Sequence, residues 1–371
     1  MAVFDRLKSA DPVVFGMTAA LVIFGLIMLM SATGPIGMQR ANDSFYYVRH
    51  QLLVGVLPGS VLFFLFALIP YRFWKAMALP ALIASLLLLI SVFLPGIGQA
   101  YGGSHSWVHI GPFNFQPSEI AKLSFLIYLA AWLSGRKDAD VRSSAAPFFL
   151  ALGVVMGLLL LEPDTGSMAV IVGMSLLLYF ISGAPVTWFL GLGVLGAGLL
   201  AMLIKFSPYR AARFMTFLHP ELDPKGIGYH INQAILAIGS GGFWGLGYGH
   251  SRQKFLYLPE VEADSIIAVI AEEMGFWLIL ILIAAFTYLV WRCFKIAKEA
   301  HDPFGTYLAA GIGSWLGIQV LLNVASMTGL MPMTGVTLPF ISHGGSSMVV
   351  LLAAMGLLAS VSARDTIRTR L

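Results

Sequence analysis

The stretch PVVFGMTAALVIFGLIMLMSAT, residues 12–33, carries no charged side chain and is long enough to cross a lipid bilayer as a helix. Several further segments have the same character, and together they predict ten transmembrane segments, at residues 12–33, 51–70, 75–96, 117–134, 146–162, 165–183, 186–205, 264–292, 303–331 and 340–363. Because backbone polar groups in lipid must be hydrogen-bonded within their own segment, each segment is predicted to be a helix.

The composition of the whole chain supports a membrane protein. Hydrophobic residues make up 58% of the 371 residues, and charged residues make up only 11%. A soluble domain of this length could not bury so much apolar surface. The single cysteine, Cys293, can form neither a disulfide framework nor a cysteine metal cluster. We therefore predict an all-α polytopic membrane protein in which residues 1–371 form one transmembrane domain.

The positions of lysine and arginine predict the orientation, because short cytoplasmic loops carry an excess of these residues. With the N-terminus inside, most of the 22 basic residues fall in inner loops, and the C-terminus is also cytoplasmic. The longest polar stretch, residues 206–263 between the seventh and eighth helices, is then extracytoplasmic. Long loops are often functional, so we expect this loop to contribute to an active site on the outer face of the cytoplasmic membrane.

The first of four outer polar clusters is FQPSEIAK, residues 115–122. Pro117 suits the first turn of a helix, and Glu119 and Lys122 are spaced to pair on one face of it. Charged groups at membrane depth are costly, so they are candidates for function. A structural ion pair and a direct substrate role both remain open for these two residues.

The second cluster is EPDTG, residues 162–166, between the fifth and sixth spans. Its composition is typical of a tight turn followed by the start of a helix. Asp164 is suited to cap that helix, and this structural role is the favoured interpretation.

The third cluster lies in the long loop, where Arg210 and Arg213 would face the same way on a helical turn. Guanidinium groups suit phosphate oxygens, and the glycine-rich run AIGSGGFWGLG at 237–247 could form an anion-binding turn. The run lacks the ending of a nucleotide P-loop. The alternative is that the arginines bind lipid headgroups.

The fourth cluster, LPEVEADS at 258–265, leads into the eighth span. Asp264 lies where water ends and the helix begins, so it could act as a general base toward a sugar hydroxyl. The alternative is a carboxylate that only stabilises the helix N-terminus. Glu272 and Glu273 lie roughly 12 Å further along the helix and are expected to be structural or to line a cavity.

A last outer segment, MPMTGVTLPFISHGGSS at 331–347, is rich in proline, glycine and hydroxyl residues. Irregular backbone of this kind persists at membrane depth only where it lines protein or a cavity. The preceding helix carries Asn323 and Ser326. The histidines show no metal-site spacing, and no metal ligand set is predicted.

These motifs resemble, in order, those of the SEDS family, whose members include RodA, FtsW and SpoVE. The similar stretches are FQPSEIAK (115–122), EPDTGS (162–167), residues 210–260, EADSIIAVIAEEMGF (262–276) and TGVTLPFISHGGSS (334–347). The phrase TGVTLPFIS resembles the FtsW branch, linked to division, more than the RodA branch, linked to elongation.

The resemblance implies a peptidoglycan glycosyltransferase that polymerises lipid II, with Asp264 as the catalytic residue. Together with the polar clusters above, it leads us to predict substrate binding by Arg210, Arg213, Glu119, Lys122, Ser342, Ser346 and Ser347, and supporting roles for Asp164, Glu262, Asn323 and Trp107. The expected partners are a class B penicillin-binding protein and, for the division branch, other divisome membrane proteins.

The sequence departs from the family pattern around the catalytic aspartate. The family commonly has His-Thr before this aspartate and Phe after it, where this chain has Glu262, Ala263 and Ser265. Three further departures are Glu162 for Gln, His343 for Tyr, and Ser106 for the Arg that commonly precedes Trp107. Glu262 would add negative charge near Asp264, and it could help to hold a divalent cation such as Mg²⁺ or Mn²⁺. The resemblance fixes no cofactor.

The implied mechanism is inverting transfer of the donor sugar from undecaprenyl pyrophosphate to the acceptor hydroxyl, with Asp264 as base and the arginines on the pyrophosphate. One alternative is a flippase that carries lipid II across the membrane, since many spans and a basic outer cavity also suit a carrier. Polar residues concentrated on the outer side favour the enzyme. A second alternative is a non-catalytic divisome scaffold, for which Asp264 would be dispensable.

Overall fold

The computed structural model describes residues 7–101, 104–111, 113–136, 145–189, 208–219 and 226–363, with single positions between 191 and 202. The helices are α1 (Pro12–Ala41), α2 (Tyr46–Leu68), α3 (Tyr71–Ala76), α4 (Ala78–Ser91), α5 (Pro117–Ser134), α6 (Ala145–Leu161), α7 (Thr165–Ile181), α8 (Pro208–Leu218), α9 (Ile227–Gly241), α10 (Ile266–Glu299), α11 (Pro303–Met327) and α12 (Gly345–Ser362). The strands are β1 (Gly98–Tyr101), β2 (Ser104–Ile110) and β3 (Phe113–Phe115).

Five of the described helices, α1, α2, α10, α11 and α12, are long and apolar enough to cross a membrane. Three shorter helices, α4, α6 and α7, are also apolar. The chain is therefore a helical protein that passes through the membrane several times. The total of ten spans stays a prediction, because most of the predicted span 186–205 lies outside the described residues.

The core forms around α11 and α12: almost all apolar residues of α12 are buried, and so are most of those of α11. Helix α12 packs closely along α2 at two glycines. A Cβ atom at Gly356 would lie 2.2 Å from the carbonyl oxygen of Phe63, and one at Gly59 would lie 2.6 Å from Leu352. Small residues of this kind let membrane helices approach until their backbones are in van der Waals contact.

The expectation of an all-α fold is wrong in one place. Residues 98–115, between α4 and α5, contain an antiparallel sheet in the order β1-β2-β3, in which Val108 is paired with both Gly98 and Phe115. Valine and aromatic residues favour strands, but the segment is too short to have stood out between two long apolar helices. The sheet delivers the chain directly to Gln116, the residue before α5.

Helix α10 is broken at Gly275, where φ is 76° and ψ is −177°. The carbonyl oxygens of Glu272 and Glu273 accept hydrogen bonds from the backbone amides of Leu246 and Gly247, both at 2.9 Å. In return, the amide of Phe276 donates to the carbonyl of Gly242 at 2.9 Å. The segment 242–247 thus supplies the hydrogen bonds that the helix loses at its break, as buried backbone in a membrane requires.

This exchange places residues 242–247 of the predicted outer loop beside the interior of α10, and the position of residues 206–263 outside the membrane stays a prediction. Gly275 lies roughly 14 Å along α10 from its first residue. The Tyr248 hydroxyl donates to the carbonyl of Ile27, in the middle of α1, at 2.9 Å. The chain after α9 therefore runs back alongside α1 and α10. Helix α9 and the residues that follow it, 227–254, are here named the re-entrant segment. The glycine-rich run allows backbone contact with α10: a Cβ atom at Gly245 would lie 2.2 Å from the Glu273 carbonyl oxygen.

Candidate active site

Asp264 lies in the turn that precedes α10 and is buried, with 6% of its surface exposed. Its backbone carbonyl accepts a hydrogen bond from Asn323 Nδ2 at 2.8 Å. Asn323, on α11, uses the same amide nitrogen to donate to the carbonyl of Val336 at 2.8 Å. The predicted supporting residue Asn323 therefore fixes the start of α10 against the segment that follows α11.

That segment, residues 328–344, is here named the connector, because it links the outer polar clusters at 258–265 and 162–166. The backbone amide of His343 donates to the carbonyl of Glu262 at 2.7 Å. A Cβ atom at Gly166 would lie 2.7 Å from the Thr334 carbonyl, so the connector also lies against the start of α7. Within the irregular segment predicted at 331–347, Val336 and residues 338–342 are buried, so this part of it lines protein.

The three predicted substrate-binding serines all make hydrogen bonds within the protein. Ser342 Oγ accepts from the amide of Leu338 at 2.8 Å. In the first turn of α12, Ser346 Oγ accepts from the amide of Gln116 at 3.1 Å, and Ser347 Oγ lies 3.3 Å from the Thr337 hydroxyl. These contacts hold the connector to α12 and α12 to the start of α5, and a substrate role for the serines stays a prediction.

Glu119 and Lys122 form the ion pair that their spacing predicts. Lys122 Nζ lies 2.7 Å from Glu119 Oε2, and both side chains are buried. The same ammonium lies 5.7 Å from the centre of the Trp315 ring, within the range of a cation–π contact. Trp315 donates to Gln319, which donates to the carbonyl of Thr337 in the connector. The pairing is confirmed, and a direct substrate role stays a prediction.

Asp164 caps α7, as the sequence indicates: its Oδ1 accepts from the amide of Ser167 at 2.9 Å. Its second carboxylate oxygen accepts from Ser118 Oγ at 2.8 Å and from Gln116 Nε2 at 3.1 Å, which joins α7 to α5. Burial and the nearby charge of Asp164 raise the pKa of Glu162 to about 8. Glu162, which stands where the family commonly has Gln, is therefore neutral at pH 7, as Gln is.

Trp107 lies on β2, half-buried, next to Ser106. The Ser106 hydroxyl donates to the carbonyl of Glu162 at 3.3 Å, so the strand is held against the turn before α7. The predicted supporting role of Trp107 stays a prediction.

Arg210 and Arg213 both belong to α8, so the expected helical spacing is present. Their side chains lie outside the described part of the structure, and phosphate binding by them stays a prediction.

Arg40, at the end of α1, is a contact that sequence reasoning missed. Its Nη1 donates to Glu262 Oε1 at 3.2 Å and to the Tyr47 hydroxyl at 2.9 Å. The negative charge of Glu262 is therefore partnered by an arginine, which opposes its expected effect on Asp264. The two partners are 222 positions apart in the sequence, so no local sequence signal predicts this pair.

The ligand set for a divalent cation near Glu262 does not assemble among the described residues. Across those ranges, no three histidine, cysteine, aspartate or glutamate side chains are grouped so that they could hold a metal ion. Because Glu262 is already turned toward Arg40, no step of the reaction is assigned to a metal here.

His230 on α9 is the other missed residue. Its Nε2 lies 2.5 Å from Ser265 Oγ, and Ser265 Oγ lies 3.3 Å from Asp264 Oδ1. Burial lowers the pKa of His230 to about 4, so the imidazole is neutral at pH 7. The predicted candidate base is thus joined through one hydroxyl to a neutral histidine on the re-entrant part of the chain.

Comparison with known proteins agrees with this arrangement. Residues 12–367 match the cell cycle protein family that comprises FtsW, RodA and SpoVE. The stage V sporulation protein E of Bacillus subtilis is 38% identical over 357 residues, which cover 95% of this chain and 97% of that protein. The probable peptidoglycan glycosyltransferase FtsW of Trichlorobacter lovleyi is 38% identical over 360 residues, covering 96% of this chain and 94% of that protein.

A solved structure extends the similarity to the fold. It concerns the structural coordination of polymerization and crosslinking by a peptidoglycan synthase complex, and one of its chains superposes with a TM-score of 0.80 at 29% identity. The superposition covers 95% of this chain and 98% of that one. The match over nearly the whole length, with the motifs in order around the connector, shows that this chain belongs to the FtsW/RodA/SpoVE family.

Proposed function

We propose that this protein is a peptidoglycan glycosyltransferase that polymerises lipid II into glycan strands, with Asp264 as the general base. The observation that carries the proposal is the buried carboxylate of Asp264, fixed through Asn323 to the connector. The connector in turn contacts the motifs that contain Gly166 and Glu262, and the first turn of α12 bonds Gln116. A relative of nearly equal length is named a probable peptidoglycan glycosyltransferase FtsW, which supports the same activity here.

The outer face of the cytoplasmic membrane is the proposed location of this site. At the start of α1, the Asp11 carboxylate accepts from Arg292 near the end of α10, and the Asp11 amide donates to Ser362 Oγ at the end of α12, so these three helix ends share one side. Asp264 and Arg40 lie at the opposite ends of α10 and α1. This supports ten spans in one domain of residues 1–371, with both termini in the cytoplasm and the active site outside.

The proposed reaction needs one proton transfer. Asp264 takes the proton from the 4-hydroxyl of the acceptor sugar while that oxygen bonds to the anomeric carbon of the donor. The bond from this carbon to undecaprenyl pyrophosphate breaks on the opposite face, so the configuration inverts. A carboxylate within hydrogen-bond reach of the hydroxyl can supply about 10²- to 10⁴-fold of the rate in this way.

The leaving pyrophosphate carries negative charge, which cationic side chains stabilise. Arg210 and Arg213, one turn apart on α8, are the proposed ligands for it, since bidentate guanidinium–phosphate pairs are strong and directional. Ser342, Ser346 and Ser347, with the Glu119–Lys122 pair, are proposed to bind the substrate rather than to react with it.

A class B penicillin-binding protein is the proposed partner, with the chain acting in the FtsW branch beside other divisome membrane proteins. The similarity to a chain of a peptidoglycan synthase complex that coordinates polymerization and crosslinking supports this assignment. The similarity to proteins named FtsW and stage V sporulation protein E supports the branch.

The test is polymer formation from lipid II by the purified protein in detergent, with and without a cognate penicillin-binding protein. We expect glycan strands from the wild type and a loss of at least about 100-fold in Asp264→Asn. Asp302→Asn is the matched control, because Asp302 caps α11 at the inner side. Undiminished polymer from Asp264→Asn would exclude the base role of Asp264, whereas a non-catalytic scaffold would make no polymer even as the wild type. Absence of polymer from the wild type, with and without its partner, would favour a flippase.

A further inference from the structure

The re-entrant part of the chain makes one polar contact with the residue that follows Asp264. Helix α9 carries His230, which is 9% exposed, and Ser265 next to Asp264 is fully buried. His230 Nε2 and Ser265 Oγ are 2.5 Å apart, and Ser265 Oγ and Asp264 Oδ1 are 3.3 Å apart. The three side chains therefore form a chain of hydrogen bonds from α9 to the candidate base.

Ser265 occupies the position where a serine ordinarily caps a helix. It is the N-cap residue of α10, yet its side chain makes no capping hydrogen bond to the helix backbone. Serine is favoured at this position because its oxygen accepts from an amide of the first turn. The Ser265 hydroxyl is instead hydrogen-bonded to His230 and Asp264, so helix capping does not explain why a hydroxyl is buried here.

The direction of each hydrogen bond follows from what each group can donate. An ionised Asp264 can only accept, so the Ser265 hydroxyl must donate to it. The oxygen of Ser265 then accepts from His230, which is neutral and carries its ring proton on Nε2. Every donor in this arrangement points toward the carboxylate, which fixes both the position of the carboxylate oxygen and the histidine tautomer.

We infer that His230 and Ser265 are positioning residues that hold the Asp264 carboxylate in the orientation needed to accept the acceptor proton. This inference rests on the proposed function. A base is effective only when its oxygen lies in line with the proton it removes, and a misplacement of about 1 Å can lower the rate by about 100-fold. His230 also connects this orientation to α9, so the re-entrant segment takes part in setting it.

The first variants remove one hydrogen bond each. We expect Ser265→Ala and His230→Phe to lower kcat for lipid II polymerisation by about tenfold or more, with KM changed by less than about twofold. The double variant should lose no more than the stronger single variant, because both changes interrupt the same chain of hydrogen bonds.

Two conservative variants separate positioning from packing. Ser265→Thr keeps the hydroxyl, and His230→Gln keeps an N–H donor, so both should recover most of kcat. Ser314→Ala is the matched control, because Ser314 is also buried but bonds only the Ala310 carbonyl of its own helix. It should leave kcat unchanged. Unfolding midpoints in detergent identify any variant whose activity falls because it is unfolded.

Three results would overturn the inference. The first is a wild-type kcat in both Ser265→Ala and His230→Phe. The second is a loss of kcat in these variants that their unfolded protein fully accounts for, and the third is a kcat that Ser265→Thr and His230→Gln do not recover. The proposed function fails differently, through a wild type that makes no polymer or an active Asp264→Asn. An inactive Asp264→Asn together with a fully active Ser265→Ala would retain the glycosyltransferase and reject the positioning role.

Discussion

Replacement of Lys254 by Met should be the most destabilising change in the re-entrant segment. Lys254 Nζ lies 2.8 Å from Glu273 Oε1, and the two side chains are 5% and 0% exposed. The ammonium also donates to the Gly249 carbonyl at 2.7 Å and to Ser31 Oγ of α1 at 3.1 Å. Methionine fills a similar volume but leaves the Glu273 carboxylate buried without its cation.

Removal of one partner from a buried ion pair costs about 3–5 kcal/mol, because the remaining charge stays desolvated. The matched control is the ion pair of Lys295 and Glu299, which lie on α10 together with Glu273. Lys295 Nζ and Glu299 Oε1 are 4.0 Å apart, and the two side chains are 41% and 62% exposed. Lys295→Met should therefore cost about 1 kcal/mol or less. The double variant Lys254→Met/Glu273→Gln should be more stable than Lys254→Met alone, since no unpaired charge remains.

The measurement is the free energy of unfolding in mixed detergent micelles, followed by tryptophan fluorescence during denaturant titration. A Lys254→Met variant no less stable than Lys295→Met would refute the reasoning. So would a double variant less stable than Lys254→Met, because the penalty would then arise from lost packing and not from the unpaired carboxylate.

Gly275→Ala should lower the free energy of unfolding by about 1–3 kcal/mol, since alanine is strained at positive φ and its Cβ would lie 2.3 Å from the Gly245 nitrogen; a midpoint equal to that of the wild type would contradict this. Glu162 should make the protein less stable as pH rises. The folded state holds the Glu162 proton up to about pH 8, whereas the unfolded chain releases it near its ordinary pKa of 4.5. Glu162→Gln should abolish this decline between pH 4.5 and 8, and unfolding midpoints across that range that run parallel to the wild type would contradict it.

The sequence was sufficient where the determining contacts are local. Helix α5 runs over Pro117–Ser134, as predicted, because a proline marks its start and its apolar run has no interruption. The i,i+3 spacing predicts the Glu119–Lys122 ion pair, and Asp164 three residues before Ser167 predicts the cap of α7. Each of these depends on residues within one helical turn.

The rest depends on contacts between distant parts of the chain. Hydropathy predicts one continuous helix over 264–292. It cannot detect that the helix breaks at Gly275, where residues 242–247 supply the replacement hydrogen bonds. The pairing of Arg40 with Glu262 joins residues 222 positions apart. Such pairings are fixed by the packing of whole helices, about which a single sequence carries no direct signal.

The connector has a consequence for how members of this family can be recombined. The backbone amide of His343 donates to the carbonyl of Glu262, and Nε2 of the His343 ring lies 3.1 Å from Nδ1 of His50. Ser265 follows Glu262 by three residues. Residues 262, 265 and 343 all differ from the residues common in the family, and they meet in one place. A chimaera between two family members should therefore exchange residues 262, 265 and 343 as a group, because each of them moved alone would be placed beside neighbours from the other parent.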